Sequence, residues 1–215
     1  MKIAVYTAIT AGKDLVKEAP ETEGVDRILF TDAAGSSPGW DVRPACGLFV
    51  DPRRNSRAHK LLAHQYLPEY EYSMWIDGSL TLLADVRQLI DQYLVDADVA
   101  MFQHPARSCL YVEAQGCADA GSDSRDVLEG QIAAYRRAGH PLNHGLHEGG
   151  AILRRHTATT RAFNEAWWAE YCRHSCRDQV SVDYVLNTLK IKCAVLPGST
   201  RDNNGIVYLH DHHWR

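Results

Sequence analysis

The chain has 215 residues, 45% of them hydrophobic and 23% charged, with a formal charge of −4. That length suits one α/β domain with a substantial core, and the net negative charge argues against nucleic acid as the main partner. No run of about 18 apolar residues is present, which excludes a helical membrane span, and the start carries no long apolar region followed by a cleavage site, so a cytoplasmic location is expected.

Lys2 to Ile9 reads as a buried first strand, with β-branched and apolar residues in succession. Ala11-Gly12-Lys13-Asp14 opens a loop or short helix. Val25 to Phe30 is a second strand that runs into Thr31-Asp32. Residues 33–54 are loop-rich, through Gly35-Ser36-Ser37-Pro38-Gly39 and two further prolines, and a loop of that length in a compact domain is usually functional or mobile. A helix is predicted from about Ser56 to Leu67, capped by Asn55 or Ser56 and ended by Pro68. Ala58, Leu61, Leu62 and Tyr66 fall on one face, Arg57, Lys60 and His64 on another.

Tyr72-Ser73-Met74-Trp75-Ile76-Asp77-Gly78-Ser79 then reads as a strand that ends abruptly in polar residues. Ala84 to Leu94 is an amphipathic helix and Val99 to Phe102 a short buried strand. Ser124 to Ala138 is a further helix. The stretch from His147 to Leu153 ends in a strand with Gly149 and Gly150 at its entrance. Thr159 to Tyr171 is an aromatic-rich helix. Ser175 and Asp178 form a capping-box-like pair ahead of a helix that buries Val182, Val185, Leu186 and Leu189. Cys193 to Leu196 is a final strand, and Tyr208, Leu209 and Trp214 make the tail apolar enough to pack.

Four polar clusters carry the candidate chemistry. The first is Asp77 with Ser79. A carboxylate is costly in a packed interior, but at the carboxyl end of a buried strand it lies where open α/β sheets bind ligands. Magnesium is commonly shared there between one or two carboxylates and substrate phosphates. The plainer reading is an Asp-Gly turn. The second cluster is Arg57 and Lys60, one turn apart, with Arg53 and Arg54. Such a pair suits a diphosphate, arginine by its fork and lysine as a point charge, unless it is only a solvated helix face.

The third cluster is Glu148-Gly149-Gly150 with Arg177-Asp178-Gln179. Glycines allow a substrate to approach the backbone. Glu148 or Asp178 reads as a general base toward a hydroxyl nucleophile, and Asp178 equally as a helix-cap acid. The fourth is His210, His212 and His213, of which His210 is the candidate metal ligand beside Asp77 and Ser79, against the alternative of a frayed tail. The remaining histidines, including His59, His104, His140, His144 and His156, read as structural or exposed. The six cysteines are scattered and expected to be reduced. Cys172-Arg173-His174-Ser175-Cys176 lacks the partner pair that a zinc site needs.

The runs Arg57-Ala58-His59-Lys60-Leu61-Leu62-Ala63-His64-Gln65-Tyr66-Leu67-Pro68 and Tyr72 to Ser79 resemble a GT-A-type glycosyltransferase-like family first catalogued as a domain of unknown function, with bacterial and plant Golgi members. Gln103-His104-Pro105, Tyr111-Val112-Glu113-Ala114, Gly145-Leu146-His147-Glu148-Gly149-Gly150, Trp167-Trp168 and Arg177-Asp178-Gln179-Val180-Ser181 extend the likeness from about Arg53 to Asn187. The chain is more distantly similar to glycosyltransferase family eight, where an Asp-Gln-Asp-x-x-Asn helix and a late histidine ligand recur. Arg177-Asp178-Gln179 with Asp183 and Asn187 is a loose echo of that helix.

The resemblance implies a GT-A-like mixed sheet flanked by helices, in a single domain over 1–215 with a nucleotide-binding half at 1–105 and an acceptor half at 106–215. It implies a UDP- or GDP-linked sugar donor, a glycan or small hydroxyl acceptor, and a divalent metal, Mn2+ or Mg2+. Family members typically bind that metal through Asp-x-Asp, and Asp77-Gly78-Ser79 lacks the second carboxylate. The nucleotide-sugar is then expected over Thr7, Ala8, Thr31, Asp32, Arg57, Lys60, Asp77, Gly78, Gly149, Gly150 and Gln179. Glu148 and Asp178 lie on the acceptor side as catalytic candidates, and Asp77, Ser79 and His210 hold the metal. Two other classes use the same features: a metal-dependent nucleotide-sugar phosphohydrolase, and a non-catalytic GT-A-like module that binds carbohydrate or a partner.

Overall fold

The β-branched, apolar opening of the chain forms β1 (Ile3–Ile9), which is buried along its whole length. Both of its faces are covered, which is why its residues form a continuous apolar run rather than an alternation. In the computed structural model, which describes residues 1–17, 22–202 and 205–210, β1 lies in a seven-stranded sheet. Its companions are β2 (Val25–Thr31), β3 (Asp41–Pro44), β4 (Tyr72–Ile76), β6 (Val99–Gln103), β7 (His147–Arg155) and β8 (Cys193–Leu196). The order is β3-β2-β1-β4-β7-β6-β8. β1 to β4 are mutually parallel, β7 runs antiparallel to both β4 and β6, and β8 is parallel to β6. A separate ribbon pairs β5 (Leu80–Leu82) with β9 (Val207–Leu209). Because β7 sits between β4 and β6, the two sequence halves contribute to one sheet.

The helices divide between the faces. α1 (Pro52–Leu61), α2 (Ala63–Tyr66), α6 (Ala158–Arg173) and α7 (Gln179–Thr188) cover one face, where Leu61, Trp167, Tyr171 and Val182 pack on Tyr6, Trp75 and Ile152. α3 (Val86–Tyr93) and the β5–β9 ribbon cover the other, packing Leu89, Ile90, Leu80 and Val207 on Val5, Met74 and Phe102. Alternate residues of β1 thus serve opposite cores. α4 (Leu110–Asp119) and α5 (Arg125–Arg137) close smaller clusters around Tyr111, Tyr135 and Leu128. No helix among the described residues is long and apolar enough to cross a membrane.

Several local expectations are corrected. The basic helix starts earlier, at Pro52. Asp51 is its cap and accepts from the Arg53 amide at 2.9 Å, while proline at the first turn loses no hydrogen bond. Asn55 instead brackets the backbone of Phe49, and Ser56 donates to the Ala8 carbonyl. The helix breaks at Leu62, so the predicted single span is α1 plus the one-turn α2. The loop-rich stretch contains β3, and α4 was not anticipated. Ser175 and Asp178 form no capping box: Ser175 donates to Asp123, and Asp178 makes no side-chain cap. Gly149 and Gly150 lie inside β7, not at its entrance.

Candidate functional site

Asp77 leaves β4 at the carboxyl edge of the parallel strands. Its amide donates to the Gly150 carbonyl at 2.8 Å, and its own carbonyl accepts from Leu80 at 2.8 Å, closing the turn that starts β5. The carboxylate accepts from the indole N–H of Trp75 at 2.8 Å, and its side chain remains 31% exposed. It is therefore neither sealed in the interior nor turned from the cleft. That cleft, of about 510 Å³, is lined among others by Ala8, Arg53, Arg57, Asp77, Gly78, Ser79, Glu148, Gly150 and Gln179. α1 borders it because Ser56 and Thr10 tie the start of the helix to the end of β1.

A charged cluster supports the floor. Lys60 is buried to 2% side-chain exposure, with Nζ 2.5 Å from Asp178 Oδ2 and 3.5 Å from Asp77 Oδ1. Arg57 Nε lies 3.4 Å from the same Asp178 oxygen. Burial by itself pushes the Asp178 carboxyl up, but the Lys60 and Arg57 charges more than reverse this and hold it well below the usual carboxylate range. Asp178 is thus a firmly ionised anchor under the cleft and does not line it, which is poor placement for a base that must meet a substrate hydroxyl. Lys60 likewise lies beneath the floor, not on an exposed basic face.

A bulge makes room for this pair. The β6–β7 register jumps between Met101↔Ile152 and Phe102↔Glu148, leaving residues 149–151 without β6 partners. A Cβ on Gly149 would stand 3.0 Å from Lys60 Nζ and 3.5 Å from Asp178 Oδ2. The glycine lets backbone close directly over the ion pair. Gly78 is similarly tight, since a Cβ there would lie 3.1 Å from the Asp14 Cβ and 3.2 Å from its Oδ2.

Glu148 lines the cleft from β7. It is buried, accepts from the Thr200 amide at 2.7 Å and its hydroxyl at 3.0 Å, and has Arg201 Nε 3.3 Å away. Gln179, the first residue of α7, also reaches the cleft. Thr7, Thr31 and Asp32 do not. Thr7 is buried in β1, the Thr31 hydroxyl accepts from Ala33, and Asp32 accepts from the Ala11 amide. Sequence reasoning gave no role to Lys13, Asp14, Thr200 or Arg201, all of which line the cleft from loops without periodicity.

The residues proposed to hold a metal do not converge. His210 donates its amide to the Ser79 carbonyl, but its Nε2 bonds to the Thr81 hydroxyl at 2.9 Å, outside the cleft lining. His212 and His213 lie outside the described residues. Ser79 offers an uncharged hydroxyl. A cation bound at Asp77 Oδ1 would meet the Trp75 N–H and the Lys60 ammonium, which already occupy that oxygen's surroundings. Among the described residues, no group of three or more His, Cys, Asp or Glu side chains is placed to hold a metal ion. The described residues thus form no all-protein cage for a divalent cation, and Asp77 would hold one only together with the phosphates of a bound donor.

The family described as TOD1/MUCI70, glycosyltransferase-like domain, matches residues 42–210. The probable hexosyltransferase MUCI70 of Arabidopsis thaliana is 32% identical over 154 residues, covering 67% of this chain and 26% of that protein. The alkaline ceramidase TOD1 of Arabidopsis thaliana is 26% identical over 156 residues, covering 67% of this chain and 34% of that protein. The chain therefore spans about a quarter to a third of the length of these relatives. The apo structure of the bifunctional glycosyltransferase WbbM superposes with a TM-score of 0.54 at 12% identity, over 91% of this chain and 38% of that one. That likeness establishes a GT-A-type fold, as the mixed sheet flanked by helices suggests.

Proposed function

The chain belongs to the TOD1/MUCI70 glycosyltransferase-like family, and from that premise we propose that its cleft binds a nucleotide-sugar and transfers the sugar to a hydroxyl of a glycan or small acceptor. The observation that carries this reading is the half-exposed Asp77 carboxylate at the strand edge, inside a cleft bordered by the Arg53 and Arg57 side chains of α1. Ligands of open α/β sheets bind at that edge.

In the transfer, the bond from the anomeric carbon to the diphosphate oxygen breaks, and its electron pair leaves on the diphosphate. The acceptor oxygen bonds the anomeric carbon and gives up its proton. Glu148, a carboxylate that lines the cleft, is the residue proposed to receive that proton. Gln179, which lines the cleft, is the residue proposed to hydrogen-bond a sugar hydroxyl. Asp178 and Lys60 act beneath, fixing Asp77 and Arg57 in place. The donor is proposed to be UDP- or GDP-linked, which a comparison of UDP and GDP binding distinguishes.

The test is a thermal-shift panel of nucleoside diphosphates and nucleotide sugars. A ligand at about a hundred times its dissociation constant stabilises by roughly 2.7 kcal/mol, which for a domain of this size corresponds to a Tm rise of about 5–11 °C. Assays of the binding sugar nucleotide with glycan acceptors then separate transfer from hydrolysis, in which water takes the acceptor's place and free sugar is released. Failure of every nucleotide to stabilise the protein would remove the reading and favour a non-catalytic binding module.

A further inference from the structure

The cleft is positively charged in a chain whose net charge is −4. Lys13, Arg53, Arg57, Arg177 and Arg201 line it, against the carboxylates of Asp14, Asp77 and Glu148. Two of these cations have only long ion pairs at the exposed rim. Arg53 Nε lies 3.5 Å from Asp51, with more than half of the arginine side chain exposed, and Arg201 is 62% exposed above Glu148. The Nε–H groups of Arg57 and Arg177 are buried without a hydrogen-bond acceptor, and a buried donor left unmatched calls for a ligand or water. Lys13 is crowded by like charge: burial, then the nearby guanidinium groups of Arg53 and Arg57, push its ammonium's pKa down. Cations that repel one another in the free protein are relieved when an anion of multiple charge enters.

We propose that the diphosphate of the donor is held and neutralised by Lys13, Arg53, Arg57, Arg177 and Arg201, and that donor binding takes place without a divalent cation. This rests on the nucleotide-sugar reading above. Guanidinium groups bind phosphate oxygens by paired, charge-assisted hydrogen bonds. Fixed arginines and lysines aimed at a departing phosphate supply the same charge stabilisation that a metal would. The Asp77 carboxylate, already engaged by Trp75 and close to Lys60, then positions Lys60 and the turn at Gly78 and is not a metal ligand.

The test is calorimetric titration of UDP and GDP into the full chain, in excess EDTA and in Mn2+. The nucleotide that binds should do so in EDTA within threefold of its affinity in Mn2+. Arg53→Ala and Arg201→Ala, both at half-exposed or exposed positions, should each weaken it about tenfold, and binding should weaken steeply with added salt. In Asp14→Asn and Asp77→Asn the ratio of the affinity in EDTA to that in Mn2+ should stay within threefold of the ratio in the unaltered protein, whatever the affinity itself does. Binding that weakens more than threefold in EDTA would overturn the inference while leaving the nucleotide-sugar reading intact. Binding of neither nucleotide under either condition would overturn both.

Discussion

Asp178→Asn isolates the ion pair under the cleft. The substitution keeps the side chain's volume and removes the negative charge that faces Lys60 at 2.5 Å and Arg57 at 3.4 Å. The Lys60 side chain is 2% exposed, so its ammonium is shielded from water and, among the described carboxylates, retains Asp77, 3.5 Å away. Removing one partner of a buried pair costs about 3–5 kcal/mol, because the other charge is left uncompensated. Asp77 supplies part of the missing compensation, which puts the expected loss near the lower bound, at about 3 kcal/mol, or a fall in Tm of roughly 6–12 °C for a domain of this size. Lys60→Met should cost less, about 2 kcal/mol, since Asp178 keeps Arg57. The double variant should lose far less than the two together, with a coupling of about 1–3 kcal/mol. Urea denaturation of the four proteins at pH 7 measures it. Acidity gives a second check. The folded Asp178 carboxyl is held below its unfolded value, so its contribution is complete above about pH 4–5 and disappears as pH falls further. The deficit of Asp178→Asn should be constant between pH 7 and 5 and shrink below about pH 4. Additive single losses, or a deficit that persists unchanged in acid, would refute the pair as a charged unit.

Gly149→Ala would drive a methyl group against Lys60 Nζ. The lysine end is flexible in principle but is pinned and buried here, so a loss of about 1–3 kcal/mol is expected, with a larger fall in transfer activity than a surface Gly→Ala change at Gly130 would bring. Arg154 is fully buried, donates to the Tyr6 hydroxyl at 3.1 Å and the Lys60 carbonyl at 3.0 Å, and pairs with no carboxylate among the described residues. Arg154→Met should therefore cost only about 1–2 kcal/mol, the price of two neutral-acceptor hydrogen bonds. A loss as large as that of Asp178→Asn, by chemical denaturation, would show that a charge partner had been missed.

The strands and most helices were legible in the sequence because periodicity reports burial. The run from Ile3 to Ile9 had one plausible structure, a strand covered on both faces, and the polar stop at Asp77 marked a strand end at the sheet's rim. α4 carried the helical spacing in Leu110, Ala114 and Cys117 but was overlooked because the charged Glu113 lies within the buried face and its cap residue, Cys109, makes no side-chain bond. Helix α1 was misplaced by four residues since Asn55 and Ser56 look like caps, but their side chains serve a neighbouring loop and β1. In the site, charge type was readable and charge depth was not. Arg57 and Lys60 fall on one face by spacing, yet nothing local says that Lys60 will be covered by Gly149 of a strand about ninety residues away in the chain. That contact depends on a bulge whose only sequence trace is a pair of glycines.

The buried pair also explains how an acidic chain maintains a cationic cleft. Cations lining a pocket repel one another, and α1 brings Arg53 and Arg57 to the same rim as Lys13. Asp178 lies behind them, within 3.4 Å of Arg57 and 2.5 Å of Lys60. It offsets part of that repulsion from the protein side without offering its carboxylate to the lumen, where it would oppose an incoming phosphate. A carboxylate moved from floor to lumen would stabilise the free protein about as well and weaken the bound state. The position of Asp178, buried and ionised, is thus the arrangement that favours an anion in the cleft, and it follows from Gly149 leaving the space in which Lys60 and Asp178 meet.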